Sequence, residues 1–163
     1  MNKLTRESID YESLREQLQS RYVVISGGEP LYHQDFEELL ERLVGDDFEV
    51  AVETSGAKAF PFEKFPQVWV TFSPKLHATE YLKDLLSPTF WSHSQEIKVV
   101  ISRANDLEAY EQLLDQAAQH GIPIYLQPEW SKKGEATPLI LKVLRHKPDW
   151  KISVQLHKYL QLP

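Results

Sequence analysis

The chain has 163 residues, of which 42% are apolar and 26% charged, with a formal net charge of -6. That is enough chain for one domain with a real core, and its acidity argues against a nucleic-acid backbone or an anionic membrane as the main partner. No apolar run approaches the roughly 18 residues of a membrane span, and the opening "MNKLTRESIDYESLREQ" is too polar for a signal peptide, so a cytoplasmic protein is expected. There is no cysteine, which excludes disulfides, thiol nucleophiles and any thiolate-held zinc or iron–sulfur centre supplied by this chain.

Residues 9–19 place Tyr11, Leu14 and Leu18 on one helical face. "YVVIS" (22–26) is apolar and β-branched, as expected of a strand covered on both faces, and breaks on Gly27, Gly28, Glu29 and Pro30. A helix over 34–45 carries Phe36, Leu39, Leu40, Leu43 and Val44 at helical spacing, with Gly45 as its stop. "FEVAVETSG" (48–56) alternates and ends on a polar, glycine-closed corner; "VWVTFSPK" (68–75) is a third strand closed by Ser73, Pro74 and Lys75.

A short helix is expected near 78–86 and a fourth strand over 96–102. The clearest helix is 106–121, with Leu107, Tyr110, Leu114, Ala117 and Ala118 on one side, Asp106 as N-cap and Gly121 at C′. "IPIYLQPEW" (122–130) is a fifth strand, 135–146 a helix with Ile140, Val143 and Leu144 inward, and "WKISVQLHK" (150–158) a last strand.

Strands alternating with helices at this spacing predict parallel βα units in a single domain over 1–163. The helix that opens the chain has no strand before it. The expected fold is therefore α/β, a partial (βα)6-type barrel lacking its first strand.

In such folds ligands gather at the C-terminal ends of the strands, where this sequence gathers its unusual residues. They are Ser26 to Pro30, Glu53 to Gly56, Ser73 to Lys75, Lys98, Gln127 to Trp130, and Gln155 with His157. Taken singly, each has a plainer role. Glu29 could cap the helix after it, Pro74 and Pro128 could end strands, and His157 could be a surface histidine. Lys98 lies in an apolar strand and should pair with a carboxylate such as Glu53. His33, His77, His93, His120 and His146 show no ligand spacing.

"VVISGGEP", "ETSG", "TFSPK", "EIKVV", "YLQP" and "DWKISVQLHKYL" fall in an order and at intervals that resemble the 7-carboxy-7-deazaguanine synthases, radical S-adenosylmethionine (SAM) enzymes of queuosine and 7-deazapurine biosynthesis. The resemblance runs from Tyr22 to Pro163, and the serine–proline–lysine corner and the "VQLHK" ending narrow it beyond the radical SAM superfamily. It implies SAM contacts at Gly28, Ser73, Pro74, Lys75, Gln127, Pro128, Glu129 and Trp130, and substrate contacts at Ser26 and the carboxylate of Pro163. Gly27, Glu29, Glu53, Thr54, Gln155 and His157 join the candidate site by their places on the rim or in its turns.

The family reaction implied is the radical contraction of 6-carboxy-5,6,7,8-tetrahydropterin to 7-carboxy-7-deazaguanine with loss of ammonia. It uses a [4Fe–4S] cluster on three cysteines, with Mg²⁺ beside the cluster loop, and the family is usually dimeric. That loop would lie upstream of 9–19 and has no counterpart in this sequence. The expectation is thus an N-terminally shortened, inactive form with no metal ligands of its own. The alternative is a cluster-less relative that binds SAM or a pterin, or serves as an interaction protein.

Overall fold

A computed structural model describes residues 9–75 and 91–161. Its strands are β1 (Tyr22–Ile25), β2 (Glu49–Thr54), β3 (Trp69–Phe72), β4 (Glu96–Ile101), β5 (Ile124–Pro128) and β6 (Lys151–Ile152). They form one six-stranded sheet in sequential order, and each neighbouring pair is parallel. The helices are α1 (Tyr11–Gln17), α2 (Phe36–Gly45), α3 (Ala104–Gln119), α4 (Lys133–Leu144) and α5 (Leu156–Tyr159). Parallel strands in sequential order, whose crossovers are right-handed as a general rule, keep their helices on one side, which is the winding of a partial α/β barrel. No helix among the described residues is long and apolar enough to cross a membrane.

The core sits between the sheet and those helices. Val50, Val52, Val70, Phe72, Ile97, Val99, Ile101, Ile124 and Leu126 are each at most 4% exposed. Towards β1 they meet Phe36, Leu40 and Leu43 of α2, and towards β5 they meet Tyr110, Leu113 and Leu114 of α3 with Ile140 of α4. Side chains alternate across a strand, so the residues between these belong to the other face. There Tyr22 and Val24 are 69% and 65% exposed. The expectation that β1 is covered on both faces is therefore wrong: only Val23 and Ile25 pack inward.

Several boundaries differ from the sequence reading for local reasons. Helix α3 begins two residues early because Asp106 is not its N-cap. Arg103 holds that place, and the Asp106 carboxylate reaches back to accept from the backbone N–H groups of Ser102 (2.7 Å) and Arg103 (3.0 Å). Ala118 is exposed and Leu113 takes its place in the core. Gly121, at φ +70°, is the C′ residue expected. After α2 the left-handed residue is Asp47 (φ 62°) rather than Gly45.

The strand expected over 150–158 lasts two residues. Its partner β5 supplies bonds on one side only; after the Ser153 N–H donates to Leu126 O at 2.9 Å, the chain winds into α5. The helix expected at 78–86 lies outside the described residues.

Candidate functional site

The strand ends converge at one edge of the sheet because all six strands point the same way. At the tip of β1, Gly27 and Gly28 stand at φ +92° and +55°, a conformation that L side chains rarely adopt. A Cβ placed on either would meet no heavy atom within 4 Å, so the two glycines form an open turn. Ser26 beside them is exposed and, with Gly27, lines a cleft of about 530 Å³ between α1, α2 and the β1 tip.

Glu29 follows the glycines and is half-buried. Its carboxylate accepts from the Leu31 N–H (3.3 Å), the Thr54 hydroxyl (2.5 Å), the Ser55 N–H (2.7 Å) and the Ser55 hydroxyl. It both caps the short 3₁₀ turn Pro30–Tyr32 and ties the β1 tip to the β2 tip. Thr54 is 2% exposed, and its backbone oxygen accepts from the Ser73 N–H at 2.7 Å. Ser73 is likewise sealed at 2% exposure, and the Pro74 oxygen accepts from the Tyr110 hydroxyl at 2.9 Å.

Pro74, Lys75, Ser102, Arg103, Tyr110 and Glu129 border a second cleft of about 620 Å³ over the ends of β3, β4 and β5. The carboxylate of Glu129 accepts from Ser131 N–H (3.1 Å), Ser131 Oγ (2.6 Å) and Lys132 N–H (2.9 Å). These donations, the Ser131 hydroxyl foremost, hold its pKa below the usual glutamate value. Trp130 has the Lys133 ammonium 3.7 Å from its ring centroid and the ring of Tyr159 edge-on at 5.0 Å. Pro128 is buried, and Gln127, 9% exposed, receives a long 3.5 Å bond from Ser153 Oγ.

The sheet face away from the helices is mixed, with Glu53, Thr71, Glu96 and Lys98 beside the exposed Tyr22, Val24 and Trp69. Lys98 Nζ lies 2.7 Å from Glu53 Oε2, the pairing expected of a lysine in an apolar strand. Beside it the Thr71 hydroxyl donates to Glu96 at 2.7 Å. The pair is only partly shielded, with side-chain exposures of 17% for Lys98 and 32% for Glu53.

The structure thus brings Gly27, Gly28, Glu29 and Thr54 together at one corner, and Pro74, Lys75 and Glu129 at another. It does not place Gln155 and His157 on a strand end. Gln155 precedes α5 and accepts from Lys158 Nζ at 2.8 Å, and His157 is exposed on the helical turn. Pro163 lies outside the described residues. Tyr110 was missed as part of the site because its helical spacing marks it equally as core; nothing in the sequence shows that its hydroxyl reaches Pro74.

A sequentially wound parallel sheet with one apolar face under helices and with glycine and proline turns at its strand ends defines a partial α/β barrel, a class in which ligands gather at those ends. No family model matches the chain. Among curated proteins, a 7-carboxy-7-deazaguanine synthase of Flavobacterium psychrophilum is 33% identical over 144 residues, covering 88% of this chain and 63% of the relative. That of Escherichia coli (strain K12) is 33% identical over 151 residues, 91% of this chain and 64% of the relative. That of Prochlorococcus marinus is 32% identical over 183 residues, 96% of this chain and 75% of the relative. The chain belongs to the 7-carboxy-7-deazaguanine synthase family. It spans less than two thirds of the length of the first two of these relatives.

One cofactor the family resemblance implies does not fit. The chain has no cysteine, and among the described residues no three or more His, Asp or Glu converge as a metal site. An iron–sulfur cluster held by three thiolates has no donors here. The glycine turn does fit the close approach of a ligand to backbone, since the space a Cβ would take is open.

Proposed function

We propose that the strand-end turns of this chain hold SAM and that the sheet face away from the helices receives the pterin substrate of a 7-carboxy-7-deazaguanine synthase. The observation that carries the reading is convergence: "SGGEP", "ETSG", "SPK" and "QPEW" occupy four strand ends on one edge of a parallel sheet. Gly28 gives the ligand close access to backbone, while Pro74, Lys75 and Glu129 border a cleft with charges of both signs, suited to a zwitterionic amino acid end. Ser26 and the carboxylate of Pro163 are assigned to the substrate, and Glu53 with Lys98 offers it paired hydrogen-bonding groups.

When complete, an enzyme of this family is a radical SAM lyase that contracts 6-carboxy-5,6,7,8-tetrahydropterin to 7-carboxy-7-deazaguanine with loss of ammonia, using a [4Fe–4S] cluster and Mg²⁺, and acts as a dimer. This chain brings position and shielding to that chemistry. Without thiolates it binds and does not cleave SAM reductively. The lack of cysteine also favours a second reading, in which the chain is a cluster-less relative used for binding alone.

Titration calorimetry with SAM tests the site. Without a metal anchor for its amino acid end, SAM depends on contacts each worth about 0.5–1.5 kcal/mol, so a dissociation constant nearer millimolar than micromolar is expected. Gly28→Val should abolish binding, because it fills the open turn and forces a β-branched residue to a positive φ, at about 1–2 kcal/mol of strain. Equal binding by the two proteins sinks the proposed site. In anaerobic reconstitution with iron and sulfide the chain should show no cluster absorption and release no 5′-deoxyadenosine; either signal overturns the binding-only account.

A further inference from the structure

The sequence gives Glu29 two obvious uses, a cap for the turn that follows it or a carboxylate for the bound molecule. The structure adds a third. Both carboxylate oxygens are occupied by donors from the chain itself, namely Leu31 N–H, Thr54 Oγ1, Ser55 N–H and Ser55 Oγ. A carboxylate offers roughly four acceptor positions, and here four donors fill them. Three of those donors belong to a neighbouring strand end, 25 or 26 residues away.

The connection continues beyond Thr54. The hydroxyl that donates to Glu29 also accepts from Gly56 N–H at 3.0 Å, closing the β2 corner on itself. The carbonyl of the same Thr54 accepts from Ser73 N–H at 2.7 Å, and the adjoining Pro74 carbonyl accepts from Tyr110 of α3 at 2.9 Å. One hydrogen-bonded line therefore crosses three strand ends, from the glycine turn to the serine–proline–lysine corner.

We propose that Glu29 is a positioning residue: it fixes Gly27 and Gly28 against the β2 corner, and through Thr54 it sets the place of Ser73 and Pro74, without touching the bound molecule itself. Gly27 and Gly28 need such a clamp. Two successive glycines at positive φ carry the largest backbone freedom of any residue, and nothing lies within 4 Å of their Cβ positions to hold them by packing. Thr54, 2% exposed, cannot exchange its Glu29 partner for water. The consequence for a ligand rests on the proposed SAM site; the clamp itself does not.

The test compares Glu29→Gln, Thr54→Val, Ser55→Ala and the Glu29→Gln/Thr54→Val pair by amide NMR and by titration with SAM. Core amides of Val52 and Leu126, unmoved, report that each variant is folded. A clamp requires that Glu29→Gln and Thr54→Val each shift the amide resonances of both Gly28 and Ser73. Each should weaken SAM by about tenfold, and the double variant should be no worse than either single one, the non-additivity of groups acting as a unit. Ser55→Ala should move Gly28 in the same direction. The proposal is overturned if Thr54→Val leaves Gly28 and SAM affinity unchanged while Glu29→Gln abolishes binding, since the carboxylate would then meet the ligand directly. If the unmodified chain binds no SAM, the site assignment falls, and the joint movement of Gly28 and Ser73 still decides the clamp.

Discussion

Glu29 and Glu129 sit at comparable corners and are used differently. Each follows a strand end, at β1 and β5, and each caps a 3₁₀ turn with its side chain. Glu129 spends its oxygens on its own turn, within three residues. Glu29 spends most of its bonding on the next strand end. The difference follows from what surrounds them. Two residues after Glu129 stands Ser131, whose N–H and hydroxyl both donate to it, and Lys132 N–H adds a third bond; two residues after Glu29 stands Leu31, which has only an N–H to give. A capping glutamate thus becomes a cross-strand tie when its own turn is short of donors.

The largest effect expected from breaking this contrast is at Glu29. Glu29→Ala leaves the buried Thr54 hydroxyl and the Ser55 N–H without their acceptor, at a cost of about 2–3 kcal/mol in urea unfolding. The same truncation at Glu129 frees donors that water can reach, so its loss should be clearly smaller. Equal losses would mean that Glu29 is no more than a local cap.

Tyr110→Phe sharpens the contrast at the far end of the line. It removes one hydroxyl and little volume, leaving Pro74 O without that donor in a buried place. A loss of about 1 kcal/mol is expected, with amide shifts at Ser73 and Lys75 and none at Gly28. Shifts at Gly28 without any at Ser73 would show that the corner is held by other contacts.

How far the sequence reveals this can be judged from the same residues. Periodicity finds the elements whose burial is one-sided and long, such as α3 and the alternating β2 and β4. It fails at β6, because "KISVQLHK" alternates as a strand would and yet only Lys151 and Ile152 pair with β5; Val154 and Leu156 end exposed, the latter in α5. It misplaces the start of α3, because an aspartate at N3 and an aspartate at N-cap look alike in one dimension. The Lys98–Glu53 pair was legible, since a cation in an apolar strand demands a partner. The Glu29 tie was not, because hydrogen-bond partners 25 residues away leave no local mark.

The smallest effect expected is the acid response of Glu129, and its sign follows from the bonds it accepts. The Ser131 hydroxyl, then the backbone N–H groups of Ser131 and Lys132 and the charge of Lys158, favour the ionised carboxylate in the folded chain. Its folded pKa therefore lies below the ordinary value of 4.5. A group depressed in this way stabilises the fold at pH values above its unfolded pKa, and that contribution disappears as the pH falls through the folded one. The window lies wholly on the acid side, so nothing from this group should change between pH 6 and pH 8. Comparing the urea midpoints of the unmodified chain and Glu129→Gln isolates this contribution, since every other titrating group is common to both. The two midpoints should differ slightly at pH 7 and lie closer together at pH 3. A gap that is the same at both values would show that the turn is held by its shape and not by the carboxylate charge.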